Sequence, residues 1–436
     1  MMTKKALNIA VVGYGTAGQA AAILLSRDGH RVEVFEQAEK PGPVGAGFLL
    51  QPVGLHVLWE MGLLDQALVH GARIERLYGE TANSRTVMDM RYAGLDARLF
   101  GLGMQRGALF SLLAQAWPDV ETVHRARRIV GADAEGGRIR DASGREFGPY
   151  DLVIAADGAA SCLRAEAGRA KLDRPYPWGA LWCLLPQGAW EHGSELRQRY
   201  LAARKMIGLL PVGTRPGDAT PRLSFFWSLR TSEFDQWQQT GIAPWLDEVG
   251  ALWPQARALM HAIDDCSQLR RASYRDAVLR RWSRGRLVLV GDAAHAMSPQ
   301  LGQGVNMALM DALALRNALR TESLVETAIA RYEQERRAHV RIYQFWSRWL
   351  TPLFQSDRNL IARVRDLAFL PMGRMPGARG QMLRVLSGLQ RGIFGRMQLP
   401  GAFLERLGAV ATSGSTAPAN TRDRQGITAE PENAQS

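Results

Sequence analysis

Only three cysteines, Cys162, Cys183 and Cys266, and only five lysines occur among 436 residues. The cysteines lie too far apart for a zinc or dithiol spacing, and an odd number argues against a disulfide framework. They read as reduced, mostly buried thiols, and no metal centre is expected. No run approaches the ~18 uninterrupted apolar residues that a membrane span requires. Glycines break the N-terminal apolar run before a secretion signal can form, so the expectation is a cytoplasmic protein. The net charge of +12 comes without a zinc-finger, basic-zipper or RNA-binding signature. Nearly all the basic residues are arginine, a bias that points to gene composition rather than to a phosphate-binding face. The excess is also local: Arg331 to Val410 carries 14 arginines against five acids. No nucleic-acid partner is expected. What remains, 46% apolar and 22% charged residues, is the composition of a globular chain large enough for two or three domains.

The stretch "NIAVVGYGTAGQAAAILLSRDGHRVEVFEQ" (8–37) reads strand, glycine turn, helix, strand. Gly13 permits the turn out of the first strand. Gly15 lets the backbone approach a diphosphate, and Gly18 lets the helix press on the sheet. The helix start, with Ala17 in its first turn, aims free N–H groups at the anion. Glu36, followed by Gln37, ends the second strand, where a carboxylate can accept hydrogen bonds from ribose hydroxyls and would repel a 2′-phosphate. The pattern suits FAD or NAD. At the other end, "GRLVLVGDAAHAMSPQLGQGVNMALMDA" sets Asp292 after a buried strand and a glycine loop, Gly302 to Gly304, at the head of a helix. A carboxylate there can bind a sugar-alcohol hydroxyl, and the helix start can stabilise an electron-rich ring edge.

This second stretch resembles the distal FAD motif of single-component FAD-dependent monooxygenases of the para-hydroxybenzoate hydroxylase-like family. "DLVIAADGAASCLR", "GAGFLLQPVGLHVLWEMGLL" and "GMQRGALFSLLAQA" resemble three further motifs of that family, in the family's order, over roughly residues 8 to 320. The resemblance implies an α/β fold: a GxGxxG dinucleotide-binding FAD domain with an inserted, mostly β substrate domain and a C-terminal helical region. It implies that Asp292 binds the ribityl chain and that Pro299 lines the oxygen side of the flavin. Gly302, Gln303, Gly304, Val305 and Asn306 hold the pyrimidine edge, largely through backbone groups. Arg106 contacts the ribityl or diphosphate region, and the backbone at Arg128 meets adenine. Gly47 belongs to the cofactor-binding set. Asp157 and Gly158, with Arg164 nearby, support both nucleotides. The arginine that many members carry before "GAG" is missing; Lys40 is the nearest cation.

The implied activity uses NADH or NADPH as transient co-substrate. Dioxygen adds at flavin C4a, and one oxygen passes to an apolar, aromatic or otherwise unsaturated small molecule. Two alternatives stay open: an FAD-dependent reductase of an isoprenoid-like substrate, and a flavin-binding protein acting through its basic helices on a partner. No "WxWxIP" stretch, the mark of a halogenase, is present.

The FAD domain is expected over 1–72, 97–172 and 270–330. The sheet-rich substrate domain takes 73–96 and 173–269, helices take 331–410, and a disordered tail 411–436. Seven of the twelve tryptophans fall between Pro175 and Pro254. Most read as core, with Trp182, Met206, Leu210 and Trp227 as candidate substrate-pocket residues. His295 reads as a structural hydrogen-bonding residue rather than a general base. The basic helices read as a solvated face divided at Pro371, Pro376 and Pro400, with peripheral membrane contact the lesser alternative. Substrate identity, the choice of NADH or NADPH, and oligomeric state are not legible.

Overall fold

The computed structural model describes residues 5–42, 45–117, 122–393 and 395–413. Its first layer is a six-stranded sheet in the order Ser283–Arg284, Leu287–Leu289, Leu152–Ala155, Asn8–Val12, Arg31–Phe35, Val123–His124. The last five strands run parallel. They are short, β-rich and buried on both faces, as a parallel sheet demands. The helices Thr16–Arg27 and Gly304–Thr321 pack beside one another and share one core with the sheet. The small residues Ala17, Gly291 and Ala308 allow the close approach; a Cβ at Gly291 would lie 3.1 Å from that of Ala17.

A second, seven-stranded sheet has the order Arg270–Ala272, Trp178–Pro186, Asp218–Arg230, Lys205–Arg215, Glu195–Leu201, Arg76–Thr81, Thr86–Arg91. Its outer face buries Leu181, Cys183, Ile207, Leu209, Phe225 and Trp227 against helices that carry Trp237 and Trp245. Those helices, Phe234–Thr240 and Ile242–Leu252, with Pro254–Ala258, were not anticipated in a region that reads as strands. Between the two layers, Gly47–Leu50, Gly101–Gln105 and Ala72–Ile74 form a three-stranded bridge. A Cβ at Gly103 would sit 1.9 Å from the Pro211 carbonyl oxygen, so glycine sets how closely the bridge meets the large sheet.

The C-terminal region is helical: Val325–Phe354, Asn359–Arg374, Pro376–Leu386 and Gly401–Ser413. The first break comes at 355–358 rather than at Pro371, which lies inside the second helix. At the break the Ser356 hydroxyl donates to the Pro352 carbonyl and accepts from the Arg358 N–H, so a side chain competes with the helix ladder. The last helix runs three residues into the expected tail; residues 414–436 lie outside the described residues. No described helix is long and apolar enough to cross a membrane. Of the three thiols only Cys183 is buried; Cys162 is exposed and Cys266 half-buried.

Candidate cofactor and substrate site

Four parallel strands end along one edge of the six-stranded sheet, and each delivers one expected residue there: Gly13, Glu36, Asp157 and Asp292. Ligands of open α/β sheets bind beyond such strand ends. Gly13 has φ +104°, and a Cβ there would sit 2.4 Å from the Ala156 carbonyl oxygen. A Cβ at Gly18 would sit 1.9 Å from the Gly13 carbonyl oxygen. Gly15 differs: its φ is −76°, ordinary for any residue, and a Cβ there would meet nothing within 4 Å. The space beside this N-cap residue is open, and no side chain caps the helix that follows.

The Glu36 carboxylate accepts the N–H groups of Tyr14, at 2.9 Å, and Ala38, at 2.8 Å, so it is fixed beside the glycine turn. The Arg127 N–H donates to the Glu36 carbonyl at 2.8 Å. This brings the exposed backbone at Arg128 next to Glu36, while Gln37 stays exposed. The Asp157 carboxylate accepts from the Cys162 and Leu163 N–H groups through one oxygen. Its other oxygen is buried without a partner. Gly158, at φ +81°, turns the chain beside it. Arg164 is not aimed at a ligand: it donates to the carbonyls of Ala293, Asp292 and Ala159 and pairs with Asp173, locking two strand ends together.

Asp292 is exposed, and its carboxylate lies near Gly304 at the uncapped start of the Gly304–Thr321 helix. There the N–H groups of Gly304, Val305 and Asn306 have no intrahelical acceptor. Gly302 enters at φ +61°, after a 3₁₀ turn that begins at Pro299. The Asn306 side chain does not face the cleft. It accepts the Gln51 N–H at 2.8 Å and donates to the Leu49 carbonyl at 3.2 Å, which leaves only its backbone for a ligand. The Gln303 amide likewise turns to the Leu386 carbonyl. Gly47 is glycine for packing, since a Cβ there would meet Val212 at 2.5 Å and Ser224 at 2.8 Å. Arg106 heads its helix with the guanidinium over the Phe48 ring, near Asp292 and Tyr274. It is open to the cleft but walled by protein. That desolvation lowers its pKa from the ordinary arginine value, and the two neighbours pull it back up.

Beneath this cleft lies a buried charge network. Asp311, fully buried, accepts from the Gly291 N–H at 2.7 Å, His295 Nε2 at 2.6 Å and Arg336 Nε at 2.7 Å. Arg336 reaches His339, whose Nε2 donates to the Gly388 carbonyl at 3.0 Å. His295 is thus a structural residue. Burial would raise the Asp311 pKa, but His295 and Arg336 hold it at about 2. Burial and Arg336 push His339 down to about 3. The sign of the pH effect follows. Below pH ~6.5 the unfolded chain protonates this histidine while the folded one does not, so stability falls with pH from there towards 3. Asp311 adds a loss only below its unfolded value, near pH 4 and under. Between pH 6.5 and 4 His339 contributes at most ~3 kcal/mol. Thermal melts of His339→Gln are expected to lose part of that slope.

The inner face of the seven-stranded sheet fronts the cleft. Along 180–184, 206–210 and 224–228 the inward positions are Ala180, Trp182, Leu184, Met206, Gly208, Leu210, Ser224, Phe226 and Ser228, all uncharged; of these Leu210 and Ser224 are buried under the bridge at Gly103 and Gly47, and Met206 packs with Tyr200 and Phe354. Trp182 pairs with Phe226 across the strands, rings 5.2 Å apart. A Cβ at Gly208 would lie 1.9 Å from the Phe226 ring, so glycine lets that ring lie flat on the neighbouring strand. Trp227 does not belong here. It is 1% exposed on the outer face, packed on Trp245, because adjacent strand residues point to opposite sides. Phe226, one position earlier, and Tyr274 were missed. Trp182 Nε1 donates to the Tyr274 hydroxyl at 3.2 Å, and burial raises the pKa of that phenol. The two-residue period over "PRLSFFWSLR" carried the signal for Phe226; nothing in the sequence pointed to Tyr274.

The open space at Gly15, two uncapped helix starts, the unpartnered Asp157 oxygen and an exposed Asp292 carboxylate with no hydrogen-bond partner among the described residues together fit a bound FAD. Comparison with known proteins agrees. Residues 6–344 match the family model described as FAD binding domain. A probable 2-heptyl-3-hydroxy-4(1H)-quinolone synthase of Rhodococcus erythropolis is 27% identical over 83% of this chain and 92% of its own length. Aurachin C monooxygenase/isomerase of Stigmatella aurantiaca is 28% identical over 76% and 86%. Among solved structures, Klebsiella pneumoniae HpxO complexed with FAD and uric acid superposes with a TM-score of 0.73 at 21% identity, covering 89% of this chain and 98% of that one.

Proposed function

We infer that this chain, which belongs to the FAD-binding domain family and is an FAD-dependent monooxygenase, oxygenates a neutral, flat, apolar heteroaromatic ring. The observation that carries the substrate class is the inward sheet face around Trp182 and Phe226, whose neighbours Ala180, Gly208 and Ser228 carry no charge. A carboxylated ring bound against Trp182 and Phe226 would lose hydration at a cost of several kcal/mol unless its carboxylate reached Arg106 beside Tyr274 or Arg270 opposite Trp182. The relatives named for quinolone and aurachin chemistry support the same class.

Bound in the cleft, FAD supplies hydride acceptance from NADH or NADPH and the activation of dioxygen. The chain's residues supply the rest. Glu36 would accept from the adenosine ribose, the helix start at Gly15 would hold the diphosphate, and Asp292 would take the ribityl hydroxyls. The N–H groups of residues 304–306 would hold the pyrimidine edge, where reduced flavin gathers negative charge. Pro299, which offers no N–H, would line the flavin site. Tyr274 stays a neutral phenol. Because it accepts from Trp182, its own proton is free to donate to a ring oxygen of the substrate and orient it. The apolar floor would exclude water from the reacting ring. A cytoplasmic location, where NAD(P)H is at hand, goes with this reading.

The test is NAD(P)H and oxygen consumption across neutral quinolone-like rings and their carboxylated analogues. Neutral rings should stimulate turnover and gain one oxygen atom from labelled dioxygen. Tyr274→Phe should raise KM for ring-oxygen substrates by roughly 3–10-fold, the worth of one neutral hydrogen bond, with little change in kcat. A preference for the carboxylated analogues, or turnover without oxygen, would overturn the assignment.

A further inference from the structure

The outer face of the Asn359–Arg374 helix has no part in catalysis, yet it is apolar. Leu360, Val364, Leu367 and Pro371 recur at intervals that set them on one side of a helix. That side faces outward: Leu360 is 72% exposed, Val364 55% and Leu367 58%, and Met375 just beyond is 61% exposed. The opposite side is the packed one, where Phe369 meets Phe354, Tyr200 and Val87. The end of the preceding helix also leaves Phe345 and Trp349 57% and 47% exposed. Single exposed apolar residues are ordinary, but a continuous stripe marks a contact surface.

Arginines border the stripe. Arg363 and Arg374 lie about 70° and about 50° from its centre at 100° per residue. With Arg341 and Arg358 they make no ion pair among the described residues. From Arg341 to Arg379 there are seven arginines against Asp357 and Asp366. Arg374 also lines a cleft of about 300 Å³ between this helix and the strand Thr86–Arg91, shared with Arg76, Arg91 and Arg379. Asp89 is the carboxylate there, engaged by Arg76, while Arg379 Nε is buried without a hydrogen-bond partner. A second copy of this chain would set like charges against each other. An anionic bilayer satisfies both features, taking the apolar stripe into the acyl boundary and the arginines onto lipid phosphates.

We propose that the Asn359–Arg374 helix docks the enzyme on an anionic membrane surface, with Leu360, Val364 and Leu367 inserted and Arg363, Arg374 and the adjoining cleft on phosphates. The same helix, with Leu350 and Leu353 before it, packs on Tyr200 and Met206 of the substrate-facing sheet. Docking therefore holds that sheet edge at the lipid boundary, where apolar rings partition.

The test is sedimentation of the FAD-loaded full chain with vesicles of phosphatidylglycerol mixed into phosphatidylcholine, against phosphatidylcholine alone. Binding is expected to need phosphatidylglycerol and to weaken with salt. It should fall roughly 30-fold in R363A/R374A, at about 1 kcal/mol per arginine, and more than ~100-fold in V364E/L367E. Flavin content should be unchanged in both variants, since these residues are exposed. Absent binding, binding indifferent to V364E/L367E, or a dimer by light scattering that V364E/L367E disperses would each overturn the proposal. None of these outcomes bears on the oxygenation reading, which NAD(P)H oxidation without vesicles tests separately.

Discussion

Asp311→Ala is expected to lower unfolding free energy by ~3–5 kcal/mol, the largest loss of any single substitution considered. The carboxylate is fully buried and accepts from three donors on two segments: the Gly291 N–H and His295 on one, Arg336 on the other. Removing it leaves a buried guanidinium, 3% exposed, facing no anion, and cuts the Gly291 N–H loose. Gly291 stands at φ +60° directly before Asp292, so the strand end that presents Asp292 loses its anchor as well. Urea unfolding of the apoprotein should show the stability loss, and FAD titration should show weakened binding beyond it. Asp311→Asn retains an acceptor but not the charge, and should fall between the two. A stability change under 1 kcal/mol for Asp311→Ala would mean that water or neighbouring groups replace the carboxylate.

The second large effect separates two glycines three residues apart. Gly15→Val should leave apoprotein stability within ~0.5 kcal/mol of wild type, because the backbone there is ordinary and the space beside it open. It should nevertheless weaken FAD roughly 100-fold, because the branched side chain fills the space into which the diphosphate must come. Gly18→Val should do the reverse. Its side chain collides with the Gly13 carbonyl and Val11 whether or not FAD is present, so apoprotein stability drops first. Paired measurements of apoprotein melting and FAD affinity distinguish the cases. Equal loss of stability in both variants would mean that Gly15 serves the fold rather than the cofactor.

These contrasts show what the sequence makes legible. Strand ends announce themselves through short β-rich runs followed by Gly or an acid, so Gly13, Glu36, Asp157 and Asp292 were readable and the fold gathers them on one sheet edge. Which group of a residue faces a ligand was not readable. Asn306 sits in the expected helix start, yet its amide is taken by Gln51 and Leu49, more than 250 positions away. Trp227 and Phe226 differ by one position and point to opposite sides of their strand, a distinction that rests on register with Leu181 and Ile207. The Asp311–Arg336–His339 network joins two helices whose residues look, in isolation, like ordinary polar positions. Arg164 ends an expected motif, but its partners Asp292 and Ala293 come from a strand end almost 130 residues later. Local chemistry is written in the chain; the partners that decide its use arrive only with the tertiary fold.

The most direct measurement is calorimetric titration of FAD into the apoprotein, wild type beside Gly15→Val and Asp292→Ala. The fold predicts one FAD per chain, with affinity reduced by each substitution, since one blocks the diphosphate end and the other removes the ribityl partner. A chain that takes up no FAD, or takes it up with an affinity unmoved by both changes, contradicts the placement of the cofactor along these strand ends.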